Sequence, residues 1–131
     1  MKNYIFYISM VCLLLCSSCK DEEILSSKPG ESIAPVNNLQ YAISGNNATL
    51  TWDLPTAFPA DIVQPVSVLV QRFEDGRSVG SPVLANAPKS ITYPYSPTKK
   101  YKYIIKVQGA VNSTDPYVSK LRISPGQTVN F

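Results

Sequence analysis

The fold of this chain is constrained most by short runs in which apolar and polar residues alternate. The runs occupy residues 39–43, 48–52, 66–70, 101–107 and 121–123. A period of two places successive side chains on opposite faces of a β-strand, whereas an amphipathic helix needs a longer stripe with a period of 3.6 residues. The sequence has no such long stripe, and its eleven prolines all lie outside the runs. The pattern therefore predicts an all-β protein.

The longest run gives the clearest expectation for a buried face. Its inward residues are predicted to be Tyr101, Tyr103, Ile105 and Val107. In the last run Leu121 and Ile123 alternate with charged residues, and residues 127–131 either resume that strand or pack as a tail. Pro82 and Pro88 confine the stretch between them to an edge or a loop, because proline cannot donate to a sheet.

Residues 36–131 have the length of one small domain. Several short strands separated by turn residues are typical of an antiparallel β-sandwich with about seven strands. All three cysteines, Cys12, Cys16 and Cys19, precede this segment, so the domain is expected to fold without a disulfide.

Two motifs in this segment resemble those of fibronectin type III domains. Residues 50–55, Leu-Thr-Trp-Asp-Leu-Pro, are similar to the second strand of that family, with its buried Trp52. Residues 95–107 are similar to the approach into the sixth strand. The resemblance implies that Tyr101 forms a tyrosine corner, in which its hydroxyl returns to the backbone a few residues upstream. It also implies a module used for spacing and binding.

The first residues have the pattern of a secretory signal. Lys2 precedes an apolar run at 4–16, and the small residues Ser17 and Ser18 follow. The run has about 13 residues, whereas a helix needs roughly 20 to cross a bilayer. A signal peptide over residues 1–18 is therefore favoured over a membrane-spanning anchor.

The residues after this signal resemble those of a bacterial lipoprotein. Cys19 follows two small residues and is the expected lipid-attachment site. The next residues, Lys20, Asp21, Glu22 and Glu23, resemble the export tag of surface-exposed lipoproteins of Bacteroidetes. The resemblance implies a lipid anchor in the outer membrane, with the protein facing the exterior. Residues 19–35 are rich in Ser, Pro, Gly and charge, which predicts a flexible tether.

The composition argues against catalysis. The chain has no histidine, the commonest general base and metal ligand. After processing it would keep no free thiol, and no glycine-rich phosphate loop follows a strand. We therefore expect a protein that is not an enzyme and that has no cofactor or metal.

A candidate ligand site lies in the loops after the second and sixth predicted strands, which meet at one pole of such a sandwich. The candidate contacts, alongside Asp53, are Phe58, Asp61, Asn112, Asp115 and Tyr117. An aromatic ring with amides and carboxylates suits a sugar, and the oxygen atoms suit a weakly held calcium ion. Asp and Asn are also ordinary turn residues, so a purely structural role stays open. The opposite pole would hold Glu74, Asp75, Tyr95 and Lys99 and would more often face outward.

The domain is basic, with nine Lys or Arg against five Asp or Glu from residue 36 onward. The face predicted to be basic and wet consists of Lys100, Lys102, Lys106, Lys120 and Arg122. Such a face suits anionic lipopolysaccharide or an acidic partner, although lysines also serve as solvation and as protection of sheet edges. A nucleic-acid partner is not expected for a surface lipoprotein.

These observations predict a non-catalytic surface lipoprotein that acts as an accessory or interaction module of an outer-membrane complex. The expected partners are the membrane, through the lipid, and a protein or a glycan. A direct carbohydrate-binding module is one alternative. A structural spacer or adhesin subunit, which would use residues 127–131 as a contact, is another.

Overall fold

The structure, a computed structural model, describes residues 30–131. The predicted signal peptide, Cys19 and the export tag lie outside the described residues. In the described part the regular elements are strands: β1 Asn37–Ser44, β2 Asn47–Asp53, β3 Ser67–Glu74, β4 Arg77–Gly80, β5 Val83–Leu84, β6 Ser90–Pro94, β7 Tyr101–Ala110, β8 Leu121–Ile123 and β9 Gln127–Asn130.

The strands form two antiparallel sheets. The small sheet has the order β1-β2-β6, and the large sheet has the order β4-β3-β7-β8, with β5 also paired to β3 and β9 also paired to β7. The two sheets pack as a sandwich, which confirms the predicted all-β antiparallel fold. Nine strands replace the expected seven because the proline-bounded stretch contains the two-residue β5 and because the last strand is divided into β8 and β9.

The core lies between the sheets and is built from the predicted alternation. On β7 the four residues predicted to point inward are at most 5% exposed. Across the core they face Leu50 and Trp52 of β2, and beside them in the same sheet lie Val68 and Val70 of β3. Ile33, which the sequence analysis assigned to the tether, is fully buried in this core. The packed part of the chain therefore begins at or before residue 33.

An aromatic cluster closes one end of the core. It contains Tyr41, Tyr93, Tyr95, Tyr101, Tyr103 and Phe131, with ring centroids between 4.3 and 6.3 Å apart. Arg72 lies over the Tyr93 ring at 3.9 Å. Phe131 exchanges two backbone hydrogen bonds with Tyr101, at 2.7 and 3.1 Å. The question of residues 127–131 is thus answered: 127–130 form a strand, and Phe131 packs against the core.

A bulge divides the last strand and reverses its faces. Ile123 pairs with Gln108 and Gln127 pairs with Ile105, so three residues on one strand oppose two on β7. Ser124 is buried and makes two hydrogen bonds to Val107. Its hydroxyl accepts from the Val107 N–H at 2.8 Å, and its own N–H donates to the Val107 carbonyl at 2.8 Å. Beyond the bulge the odd-numbered residues Val129 and Phe131 point inward. Before the bulge the inward side chain is that of the even-numbered Arg122, which pairs with Gly109. The expectation that Arg122 lies on the wet face is therefore wrong, and Leu121 and Ile123 are each 45% exposed.

The tyrosine corner is present. The Tyr101 hydroxyl accepts a hydrogen bond from the Ser96 backbone N–H at 3.0 Å, five residues upstream. We expect Tyr101→Phe to lower the free energy of unfolding by about 1 kcal/mol, because the Ser96 N–H loses its acceptor. Urea unfolding followed by far-UV circular dichroism measures the change. Tyr117→Phe, at an exposed position, is the matched control; equal stability of the Tyr101→Phe variant and the wild type would refute the assignment.

Candidate functional site

The loops after β2 and β7 meet at the end of the sandwich where residues 30–36 join the domain, which we call the proximal pole. The Asn112 N–H donates to the Asp61 carbonyl at 2.8 Å, and the Val63 N–H donates to the Ala110 carbonyl at 2.9 Å. Ile62 and Val111 form an isolated bridge between the same loops. The predicted meeting of Asp61 and Asn112 at one pole is confirmed.

The Asp61 carboxylate is held by a cation of the chain itself. Arg122 binds both of its oxygens, through Nη1 at 2.9 Å and Nη2 at 2.8 Å. The same Nη1 donates to the Glu31 carbonyl at 2.9 Å. This arrangement, the Arg122 clamp, joins the incoming chain, the loop after β2 and strand β8. A fork-shaped guanidinium on a carboxylate is a specific and strong geometry, so both carboxylate oxygens are engaged within the fold.

The other candidate contacts make interactions of their own. Asp115 lies in a local turn, where its Oδ1 accepts from the Tyr117 N–H at 2.9 Å. The Tyr117 side chain is 48% exposed. Phe58 packs against the core, and Asp53 accepts from Asn38 Nδ2 at 2.7 Å. Within residues 30–131 no cluster of carboxylates is suited to hold a metal ion.

The clamp predicts an acid-dependent contribution to the stability of the domain. The hydrogen bonds from Arg122 lower the pKa of Asp61 below its ordinary value of 3.8. Because the pKa is lower in the folded state, the stabilisation is present above about pH 3.8 and is lost as the pH falls through the folded value. We expect Asp61→Asn and Arg122→Gln to weaken this acid dependence, measured as the urea midpoint from pH 7 to pH 2. Variants that follow the wild-type profile throughout would contradict the assignment.

The outer face of the small sheet is polar. On β2 the exposed or half-buried Thr49 and Thr51 alternate with buried Ala48, Leu50 and Trp52. Thr49 is paired with Thr92 across the sheet, and their hydroxyls are 2.9 Å apart. Further residues of this face are Gln40, Ala42, Ser44, Asn47 and Ser90. This is an ordinary solvated surface.

The outer face of the large sheet has a different chemistry. Its apolar residues are Leu69, Phe73, Val83, Ile104, Leu121 and Ile123. Val83 is 50% exposed. Lys102 and Lys106 lie among them, opposite Phe73 and Leu69, and no Asp or Glu occupies an outward position on β3, β5, β7, β8 or β9. The face combines aliphatic side chains with positive charge.

The alternation in the sequence predicts only part of this face. It places Lys102 and Lys106 on the wet side of the strand but does not identify the apolar residues of β3 and β8 beside them. The uninterrupted apolar residues Val68-Leu69-Val70 were the available signal, because a strand that is apolar at adjacent positions presents apolar side chains on both faces. The exposure of Leu121 and Ile123 could not be found in this way, since it depends on the bulge.

The opposite end of the sandwich, the distal pole, contains a concavity of about 460 Å³. Its lining residues are Gly76, Lys100, Tyr101, Lys102, Asn130 and Phe131. Nearby, the Lys99 ammonium lies 2.8 Å from Glu74, and Asp75 accepts from the Lys100 N–H at 2.9 Å. Tyr95 packs in the aromatic cluster. The concavity therefore opens beside cations, while both neighbouring carboxylates are already engaged.

No helix within residues 30–131 is long and apolar enough to span a membrane. No curated protein and no solved structure matches the chain. The sequence profile of one family, described as a domain of unknown function (DUF4945), matches residues 19–131. Since the match covers most of the sequence, the chain belongs to the DUF4945 family.

Proposed function

We propose that this chain is a non-catalytic, lipid-anchored surface protein that acts as an interaction module of an outer-membrane complex. The observation that carries the proposal is the contrast between the two outer faces. One is made of Thr, Ser, Gln and Asn, whereas the other exposes Val83, Leu121 and Ile123. Exposed apolar surface is costly in water, and patches of it mark interaction sites. A domain in which one face is polar, while the other combines exposed aliphatic side chains with lysines, has one face suited to a partner.

The scaffold in this proposal is a fibronectin type III-like sandwich. Two details support it: the buried Trp52, whose Nε1 donates to the Pro88 carbonyl at 2.9 Å, and the Tyr101 corner. Sandwiches of this kind display loops and sheet faces for binding without chemistry of their own.

The lipid anchor is the second part of the proposal. The family match begins at Cys19, the expected lipid site. Eleven residues, 20–30, separate that cysteine from the Glu31 carbonyl of the Arg122 clamp, so the proximal pole is the end of the domain nearer the anchor. The proximal pole is then held toward the membrane, and the distal pole and the outer face of the large sheet remain accessible from outside.

Fractionation of producing cells tests the anchor. We expect Cys19→Ala to move the protein from the membrane fraction to the soluble fraction, because the acyl chains are lost. Cys16→Ala is the matched control and should stay with the membrane. If Cys19→Ala remains in the membrane fraction, the lipid-anchor part of the proposal is wrong.

Crosslinking on intact cells tests the interaction. A long-arm amine reagent applied to the wild-type protein is expected to capture the same protein neighbours in repeated preparations. Capture of other copies of this chain alone would instead support the adhesin alternative. Retention of a polysaccharide by the soluble domain alone, with no protein captured by the amine reagent, would support the carbohydrate-binding alternative.

A further inference from the structure

We infer that the outer face of the large sheet, together with the distal concavity, docks an acidic segment of a partner protein. The inference rests on the proposed function and names the chemistry of the partner. In this arrangement carboxylates of the segment meet Lys102 and Lys106, and its apolar side chains cover Leu69 and Ile104.

The charges of the face are uncompensated within the domain. Among residues 30–131 neither Lys102 nor Lys106 forms an ion pair, although Lys102 lies 5.6 Å from the Phe73 ring centroid. Lys100 lines the concavity beside Lys102 and also forms no ion pair there. With no outward carboxylate on the strands of this face, the charged side chains that point outward from β7 are cationic, so the face attracts acidic groups and repels basic ones.

The spacing of these side chains limits the shape of the partner. Lys102, Ile104 and Lys106 point outward from one strand, and a strand rises about 3.3 Å per residue. The Cα atoms of Lys102 and Lys106 are therefore about 13 Å apart, with Ile104 midway between them. An extended segment with two acidic residues four positions apart, and an apolar residue between them, repeats this spacing.

The side chains of the outer face of the large sheet favour a peptide over an anionic glycan. The aliphatic side chains of Leu69, Ile104 and Ile123 cannot bind sugar hydroxyls, and the one aromatic ring on the face, Phe73, is covered by Lys102. The volume of the distal concavity, about 460 Å³, is ample for one large apolar side chain. Protein segments combine carboxylates with such side chains, whereas acidic polysaccharides offer mainly hydroxyls.

A zero-length carbodiimide reagent on intact cells that produce the full, lipidated chain tests the contact directly. The reagent activates a carboxylate, and a lysine amine in contact with it displaces the activating group and forms an amide. We expect mass spectrometry to find Lys102 or Lys106 joined to an Asp or Glu of one partner protein. Lys120, at the proximal pole with its ammonium donating to the Ser113 carbonyl, is the internal control and should remain unlinked to that partner.

Charge-reversed variants test the same contact by co-purification. The double variant Lys102→Glu with Lys106→Glu should retain about tenfold less partner, because rim charges govern encounter and specificity. Lys102→Arg with Lys106→Arg should retain it, since the charge is kept. Ala42→Glu with Ser90→Glu, which adds acids to the small sheet, is the matched control and should also retain it. Added salt should weaken capture by the wild type.

The outcomes separate the inference from the proposed function. If the long-arm reagent captures no protein, both are overturned. If it captures a partner but the carbodiimide joins no carboxylate to Lys102 or Lys106, or if the charge-reversed variant still retains the partner, only the inference is overturned. Adducts that contain uronic acid in place of a peptide would also overturn it, in favour of an anionic glycan.

Discussion

Trp52→Ala is expected to lower the free energy of unfolding by about 3–5 kcal/mol, the range for removing a large buried aromatic side chain. Trp52 is 3% exposed, and its loss would leave a cavity between the sheets. The Pro88 carbonyl would also lose the indole donor at 2.9 Å. Domains of this size are stable by about 5–15 kcal/mol in total, so the variant should lose a large part of its stability.

The measurement is urea unfolding followed by far-UV circular dichroism, because the substitution removes the single tryptophan of the chain. Thr51→Ala, on the exposed face of the same strand, is the control and should change stability little. Trp52→Phe should fall between the two, since it keeps a ring but loses the hydrogen bond. A Trp52→Ala variant as stable as the control would mean that the core is not built around this residue.

Gly109→Val is expected to destabilise the domain by about 2–3 kcal/mol through overpacking. A Cβ atom at this buried position would lie 2.6 Å from Ile62 Cγ2 and 3.1 Å from Ile33 Cδ1. Both neighbours belong to segments that the Arg122 clamp holds, the loop after β2 and the incoming chain. Valine at this position should therefore push those segments away from β7 and disturb the proximal pole as well.

Urea unfolding measures the loss of stability, and the acid dependence reports on the clamp, which should weaken in the same variant. Ala110→Val, at the next and exposed position of β7, is the control and is expected to stay close to wild type. If both valine variants unfold at the same urea concentration, close packing of Ile62 and Ile33 on this strand is not required.

The fold could be predicted best from the longest alternating run, which forms a central strand paired on both sides. The residues of β7 at 101–107 alternate without interruption, and the structure buries the predicted set. Tyr101 and Trp52 were also identified correctly, because each belongs to a motif with a local mechanism: a hydroxyl that reaches the backbone upstream, and a large ring on an inward position.

The errors arose where register depends on a contact between distant segments. A one-residue shift moves every side chain to the other face, and the bulge at Ser124 is stabilised by Val107, seventeen positions away. From the pattern alone, Leu121 and Ile123 have the appearance of core residues. The number of strands was affected in the same way, because the division between β8 and β9 exists only through this bulge.

The candidate site could be predicted as a meeting of loops but not as a set of contacts. Sandwich topology brings Asp61 and Asn112 together, and the structure does so at 2.8 Å through backbone atoms. The partner of the Asp61 carboxylate, Arg122, could not be foreseen, since the bulge turns this residue inward. The ligand role of Asn112, Asp115 and Tyr117 stays a prediction.

The antiparallel pairing of β1 with β2 determines how the domain would respond to mechanical force. The hydrogen bonds of such a pair lie perpendicular to the strands, and here the regular pairing extends from Gln40 opposite Thr51 to Ser44 opposite Asn47, with an irregularity between Asn37 and Gln40. A pull on the incoming chain along the strand axis therefore shears many bonds at once, whereas peeling would break them one after another. Before β1 is reached, the pull meets the Arg122 bond to the Glu31 carbonyl and the fully buried Ile33 and Val36. These contacts would therefore have to break before a force applied to the chain at residue 30 reached β1.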